Sequence, residues 1–294
     1  MKTINKLKKQ LNCNITKYTL YNNIKYIETD KGNYIIKRKN NNDIYNYLNK
    51  NGYDNYINPI FEIDEYNIYP YLDDISVEDN EKALSIINLM SKLHAKTAYY
   101  KDISLEEIKD IYEYKKIKIK ELNDYYDYLR FIIEEKDYPK PAELFLLKNI
   151  SIIYICLDKV NIYLDKWYHI SKTKTNIRNS LIHNNLEIDH LIQNDISYLI
   201  SWEKSKHEIP IYDFINFYKK EFNKINFKEL IKLYFNNIKI TEDELYLLHI
   251  ELLLPDKIIF EESEMKNIYN ITYMINYLTS TYSLLLKDNE VNTW

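Results

Sequence analysis

Residues 15–38 alternate apolar and polar positions between short polar breaks. Ile15-Thr-Lys-Tyr-Thr-Leu is followed by Asn22-Asn23, then Ile24-Lys-Tyr-Ile-Glu-Thr, Asp30-Lys-Gly32 and Asn33-Tyr-Ile-Ile-Lys-Arg. A period of two with Asn-Asn and Asp-x-Gly turns predicts an antiparallel meander. A short helix is expected from about Asp43 to Lys50, leading through Gly52 to strands at Ile57–Ile63 and Tyr66–Leu72. From Asn80 the period becomes that of a helix. Leu84, Ile87, Met90, Leu93 and Thr97 form one stripe, with Ala83, Ile86 and His94 beside it. A long amphipathic helix follows over Leu105–Glu135, and Pro141 opens another that reaches about His169. The polar stretch Ser171–Asn179 reads as a loop. A short strand ending at His183, a loop over 184–189 and a hairpin of Leu191-Ile-Gln with Ser197-Tyr-Leu-Ile come next. Pro210 begins a helical stretch, and three or four more helices reach Lys287. Strands first and helices after predict an α+β chain in two lobes. The strand-rich lobe spans 1–73, the mostly helical lobe spans 74–294 with an embedded hairpin at 191–201, and the hinge is Tyr69-Pro-Tyr-Leu-Asp73.

Composition narrows the function classes. With 46% hydrophobic and 29% charged residues the chain has a globular balance, and its net charge of −4 offers no global attraction to nucleic acid. The basic groups Lys6, Lys8, Lys9 and Lys172, Lys174, Arg178 read as solvated surface. Cys13 and Cys156 have no metal-ligand spacing, which suits a reducing, cytoplasmic setting. Lysines break the first apolar run, so no signal peptide is expected. Lys148, Asn149 and Asp158 interrupt Leu144–Val160, which makes it a buried helix and not a membrane span. There are only 2 Gly, so most positions needing a positive φ must use Asn, Asp or a strained residue.

Candidate chemistry concentrates at Leu181–Glu203, which opens Leu-Ile-His-Asn-Asn-Leu-Glu-Ile-Asp-His and closes Ile-Ser-Trp-Glu. This stretch resembles the catalytic loop of the aminoglycoside phosphotransferase and choline-kinase-like family, H-G-D-x-x-x-x-N followed by a hairpin and I-D-W. On that pattern His183 matches the loop-anchoring histidine and Asn184 the glycine. Asn185 stands where the family has the aspartate that positions the substrate hydroxyl. His190 stands for the metal-binding asparagine and Ser201 for the metal-binding aspartate. Pro210-Ile-Tyr-Asp213 resembles the family's P-x-x-D, whose aspartate helps hold the loop. Met90-Ser-Lys-Leu-His94 resembles the end of its first large-lobe helix, and Tyr34-Ile-Ile-Lys37 the strand whose lysine contacts nucleotide phosphates. The resemblance implies a bilobal kinase-like fold. In general pattern it is nearest to kinase-like spore-coat proteins of AT-rich, spore-forming bacteria, to which the abundance of Asn, Ile, Lys and the 31 Tyr also conforms.

The departures from the pattern decide the expected function. An amide at Asn185 has negligible affinity for a proton, and Ser201 and His190 do not offer the hard carboxylate oxygens that Mg²⁺ prefers. The leading expectation is a pseudokinase: no cofactor, no metal, and an unknown protein partner or small molecule as ligand, in the cytoplasm or a spore coat. The alternative is an active small-molecule phosphotransferase using ATP and Mg²⁺, with Glu187, Asp189 or Glu203 as relocated carboxylates. An acidic stretch at 242–264 could then line an acceptor pocket, though a solvated helix face is the preferred reading. Asp43 is the nearest acid available to pair with Lys37. His94 and His249 read as buried, hydrogen-bonded residues, and Trp202 as packing beneath the hairpin. A third expectation is a coat protein cross-linked through its tyrosines.

Overall fold

The computed structural model describes residues 6, 8–10, 12–21, 24–39 and 43–286. The Asn22-Asn23 turn and the side chain of Asp43 lie outside the described residues. The chain divides into two compact units: Met1–Ala98 with Ser180–Glu208, and Tyr99–Asn179 with Ile209–Trp294. The segment 180–208 therefore groups with the strand-rich start of the chain.

In the first unit the alternating segments form β1 (Ile15–Tyr21), β2 (Ile24–Thr29) and β3 (Gly32–Arg38), followed by α1 (Asp43–Lys50), β4 (Phe61–Ile63) and β5 (Tyr66–Pro70). The sheet is antiparallel in the order β1-β2-β3-β5-β4. Its inward positions are Ile27, Ile36, Ile63 and Ile68. Each such side chain taken fully from water contributes roughly 1.5–3 kcal/mol. The strand expected at Ile57–Ile63 shortens to Phe61–Ile63. Pro59 has no N–H to give a ladder, and Tyr56 makes only an isolated bridge to Leu199. Gly32, with φ of 129°, supplies the turn between β2 and β3 that a side chain would strain.

Helix α2 (Asp79–Thr97) buries Ala83, Ile86, Ile87, Met90, Leu93, His94 and Thr97. Leu84, expected on the stripe, is exposed, and Ala83 and Ile86 beside it carry the buried face instead. The threonine ends the helix usefully: Thr97 Oγ1 accepts from the Leu181 amide at 3.1 Å.

In the second unit, β6 (Tyr99–Asp102) pairs with the first half of β7 (Asn176–Ile182), a region expected to be loop. Helices α3 (Leu105–Glu134), α4 (Pro141–Ser171), α5 (Ile211–Glu221), α6 (Phe227–Asn237), α7 (Glu242–Leu253) and α8 (Glu264–Leu286) follow. The first of these starts at a reciprocal Ser104–Glu107 capping box. Pro141 sits at the start of α4, which packs against α3, α7 and α8. The apolar run Leu144–Val160 lies within α4 and buries Leu146, Ile150, Ile153, Cys156, Leu157 and Val160. Among the described residues no helix is long and apolar enough to cross a membrane.

Candidate functional site

The segment after β7 is held in place from several sides. Its strand passes through Ile182, whose backbone pairs with β10 (Lys206–Glu208). The hairpin β8 (Leu191–Gln193) and β9 (Ser197–Leu199) is clamped by its neighbours. The Leu199 amide donates to the Asn55 carbonyl at 3.0 Å, and Asn55 Nδ2 donates to the Ser197 carbonyl at 2.9 Å. Asp74 Oδ1 accepts from the Gln193 amide at 2.8 Å.

This framework sets each motif residue. His183 is fully buried, with Nε2 2.9 Å from the Ile200 carbonyl and its ring 4.5 Å from that of Trp202. Asn184 adopts a left-handed φ of 58° and donates from Nδ2 to the Lys204 carbonyl at 3.0 Å. An asparagine thus does what glycine would do at a sharp turn. Asn185 is buried, and its amide points to the Ser201 carbonyl at 3.4 Å. His190 ends a short 3-10 turn and donates from Nδ1 to the Asn185 carbonyl at 2.5 Å. A carbonyl only accepts, so Nδ1 carries a proton. Ser201 has φ of 68° and ψ of 50°, left-handed backbone that serine rarely adopts. Trp202 is buried beneath the hairpin, its Nε1 donating to the Leu199 carbonyl at 2.8 Å. Asp213 belongs to the second unit, where it is fully buried in the first turn of α5. Burial first, then the Glu244 and Asp213 carboxylates, push the nearby Tyr234 phenol well above its ordinary pKa.

Within the first unit, a cavity of about 380 Å³ is lined by Lys37, Tyr45, Tyr69, Trp202, Glu203 and His207, among others. Lys37 projects from β3, where its backbone pairs with Asn67 of β5. Burial lowers its pKa, and the Glu203 carboxylate opposes that effect. No ion pair joins Lys37 and Glu203, and neither makes a side-chain hydrogen bond among the described residues. Tyr45 and Tyr69 share a hydroxyl–hydroxyl bond of 3.0 Å, to which Asn67 Nδ2 adds a donor to Tyr69 at 3.3 Å. Burial raises the pKa of both phenols. Burial lowers that of His207, whose ring meets Tyr47 edge-on at 5.0 Å.

Lys37, Tyr45, Tyr69, Trp202 and Glu203 also wall a second, apolar slot of about 40 Å³ that includes Ile35, Ile57, Pro70, Ile192, Ile200 and Ser201. Small-molecule pockets usually start near about 300 Å³, so the slot is closed to anything larger than a few waters.

Sequence reasoning found Lys37, Ser201 and Glu203 in this region but missed the tyrosine pair and His207. Tyr45 and Tyr69 lie on an ordinary helix and strand, and their value comes from meeting across the fold. Of the three carboxylates considered as replacements, Glu203 lines the cavity, Asp189 is exposed, and Glu187 is half-buried in the loop. Half of the acidic residues in the second unit's 242–264 stretch are in ion pairs: Asp243 with Lys174, Glu244 with Arg178, Glu251 with Lys115 and Glu261 with Lys266. His94 and His249 are buried, and His249 Nδ1 lies 2.7 Å from the Leu245 carbonyl.

The donors at the motif positions do not fit Mg²⁺. Asn185, His190 and Ser201 bring no carboxylate, whereas Mg²⁺ is usually bound through one or two of them. Among the described residues no group of three His, Cys, Asp or Glu is placed to hold a metal ion.

No family model matches the sequence, and no curated protein matches it. Solved structures do resemble it. An aminoglycoside phosphotransferase from Alicyclobacillus acidocaldarius subsp. acidocaldarius DSM 446 superposes with a TM-score of 0.65 at 9% identity, covering 94% of this chain and 93% of that one. The AMP-bound spectinomycin phosphotransferase APH(9)-Ia gives 0.56 at 14% identity, over 95% of this chain and 98% of that one. The same enzyme with ADP and spectinomycin gives 0.50 at 12% identity, over 95% and 98%. The chain therefore has the kinase-like α+β fold of the aminoglycoside phosphotransferases, as its loop pattern implies.

Proposed function

We propose that this protein is a pseudokinase of the aminoglycoside phosphotransferase fold, acting by binding and not by phosphoryl transfer. The observation that carries this reading is what occupies Asn185, His190 and Ser201. The amide of Asn185 is turned to a backbone carbonyl, a proton of His190 is spent on another, and Ser201 presents a neutral hydroxyl from left-handed backbone. Phosphoryl transfer depends on positioning and on neutralising phosphate charge. These residues supply neither a proton acceptor for an attacking hydroxyl nor a carboxylate for the metal. The fold around them is intact, which suits a role in recognition.

A second reading keeps the chemistry, and Glu203 favours it, because its carboxylate lines the same cavity as Lys37. A lone carboxylate beside a lysine is a thin basis for metal-assisted transfer, so the first reading is preferred.

Thermal denaturation with ATP, Mg²⁺ and Mn²⁺, alone and combined, separates the two. A ligand at 100 times its Kd stabilises the native state by about 2.7 kcal/mol, a readily measured rise in Tm. Binding without transfer predicts no metal-dependent rise. A metal-dependent rise, with ATP turnover that Glu203→Gln abolishes, would establish the second reading.

A further inference from the structure

The 380 Å³ cavity contains an unusual pair of charges. Lys37 has three N–H donors and Glu203 two carboxylate oxygens. Neither group is hydrogen-bonded or ion-paired among the described residues, yet both line the same cavity. The other cations on its rim have carboxylates of their own: Arg38 pairs with Glu65 at 2.8 Å and Lys206 with Glu208 at 3.4 Å. The interior therefore presents one positive and one negative site with no net charge.

The tyrosine pair adds one donor. Two phenolic protons serve a single bond between Tyr45 and Tyr69, and Asn67 donates into Tyr69 without accepting from it there. One O–H is left to point elsewhere. Part of the wall around these groups is aromatic or apolar, from Tyr47, Trp202, Ile44 and Leu181, and Ser205 and His207 add polar lining.

We propose that this cavity binds a small zwitterion, an α-amino acid with a large apolar or aromatic side chain. Its carboxylate meets the Lys37 ammonium and the free phenolic O–H, its ammonium meets Glu203, and its side chain lies against Trp202 and Tyr47. An amino acid carries its two charges on adjacent carbons, which matches two opposed groups that line one cavity without reaching each other. A simple anion would satisfy Lys37 and leave Glu203 uncompensated, and a simple amine would do the reverse. Aromatic faces favour the ammonium as well as the side chain. This proposal rests on the reading of the cavity as a binding site that does not transfer phosphate.

Isothermal titration of the full chain with L-phenylalanine, L-leucine, 3-phenylpropionate and 2-phenylethylamine tests it. The phenyl compounds share a ring and differ only in which charges they carry. Saturable binding of phenylalanine or leucine is expected, with the mono-charged compounds at least about tenfold weaker, the factor one charge-assisted hydrogen bond commands. Glu203→Gln should erase the preference for phenylalanine over phenylpropionate, and Lys37→Met its preference over phenylethylamine. Thermal melts confirm that each variant folds, with Lys37→Gln replacing Lys37→Met if that variant does not. The proposal is overturned if neither amino acid binds, if all the phenyl compounds bind equally, or if the variants leave the preferences unchanged. Mg²⁺-dependent ATP turnover would sink the pseudokinase reading without altering these titrations, so the two failures are distinguishable.

Discussion

His183 holds its loop through packing and one hydrogen bond. It is fully buried, bonds the Ile200 carbonyl and packs on Trp202, all of which are structural duties. His183→Ala removes a buried ring and leaves a carbonyl to find another donor. A loss of about 3 kcal/mol is expected by urea denaturation, and a loss under about 1 kcal/mol would show that the loop does not depend on it. Ser201 points the other way. Left-handed backbone costs a non-glycine residue about 1–2 kcal/mol, partly offset by the greater unfolded-state freedom of glycine. Ser201→Gly is therefore expected to raise stability by up to about 1 kcal/mol, readable as a shift in the urea midpoint. Lys37 gives a prediction in pH. Burial lowers its folded-state pKa, with Glu203 opposing, so below that pKa the ammonium weakens the fold in full. As pH rises toward the unfolded value of about 10.4, the folded state binds fewer protons than the unfolded chain and the penalty fades. Lys37→Met should accordingly be more stable than the parent at neutral pH. The advantage should shrink on approaching pH of about 10.4, and a pH-independent difference between the two proteins would refute this account.

At the scale of elements, the hydrophobic period reveals most of the helices and the first meander, because one face of each is buried and the other wet. Helix α1 lies where the sequence places it, and α2, α3 and α4 begin and end within a few residues of expectation. The failures share a cause. All four residues of β6 are exposed, and the first half of β7 reads Asn176-Ile-Arg-Asn, so neither segment shows an apolar alternation. Their order comes from backbone pairing and from ion pairs between residues far apart in sequence, to which period is blind. Arg178 of β7 meets Glu244 of α7 with two hydrogen bonds, the Nε–Oε1 one at 2.9 Å, and side-chain exposures are 17% and 3%. Glu244 Oε2 also accepts the Thr241 amide at 3.0 Å, so one carboxylate both caps α7 and anchors the strand. Arg178→Met leaves a buried carboxylate uncompensated, at an expected cost of about 3–5 kcal/mol. Adding Glu244→Gln should recover part of that loss while still capping the helix. A double-mutant cycle from chemical denaturation measures the coupling, and additive costs would mean the pair does not hold β7 to α7.

At the scale of the molecule, the fold and the chemistry place their demands on different atoms. Packing is met by Ile36, Ile68, His183, Trp202 and the helical core, none of which requires a carboxylate at Asn185 or Ser201. The kinase-like fold was legible in the sequence because the alternation at 15–38 and the helical stripes after Asn80 are set by burial. The state of the cavity was not legible, because it depends on Tyr45, Tyr69 and Glu203 converging from α1, β5 and the turn after β9. That separation yields a reconstruction experiment. The triple variant N185D/H190N/S201D returns two carboxylates and an amide to the loop. Aspartate tolerates the left-handed backbone at position 201 better than serine, so the change there is not strained. The variant is expected to gain a Mg²⁺-dependent rise in Tm that the parent lacks, because paired carboxylates are what Mg²⁺ binding needs. The apolar slot itself is not expected to admit a nucleobase. The apolar slot beside Ser201 holds about 40 Å³, and the Tyr45–Tyr69 pair that walls it is untouched by the three changes. In the presence of Mg²⁺, ATP and pyrophosphate should therefore shift the triple variant equally, since only phosphate is recognised. A larger shift with ATP would mean that the slot opens to a base, and that the loop residues alone separate this protein from a nucleotide-binding one.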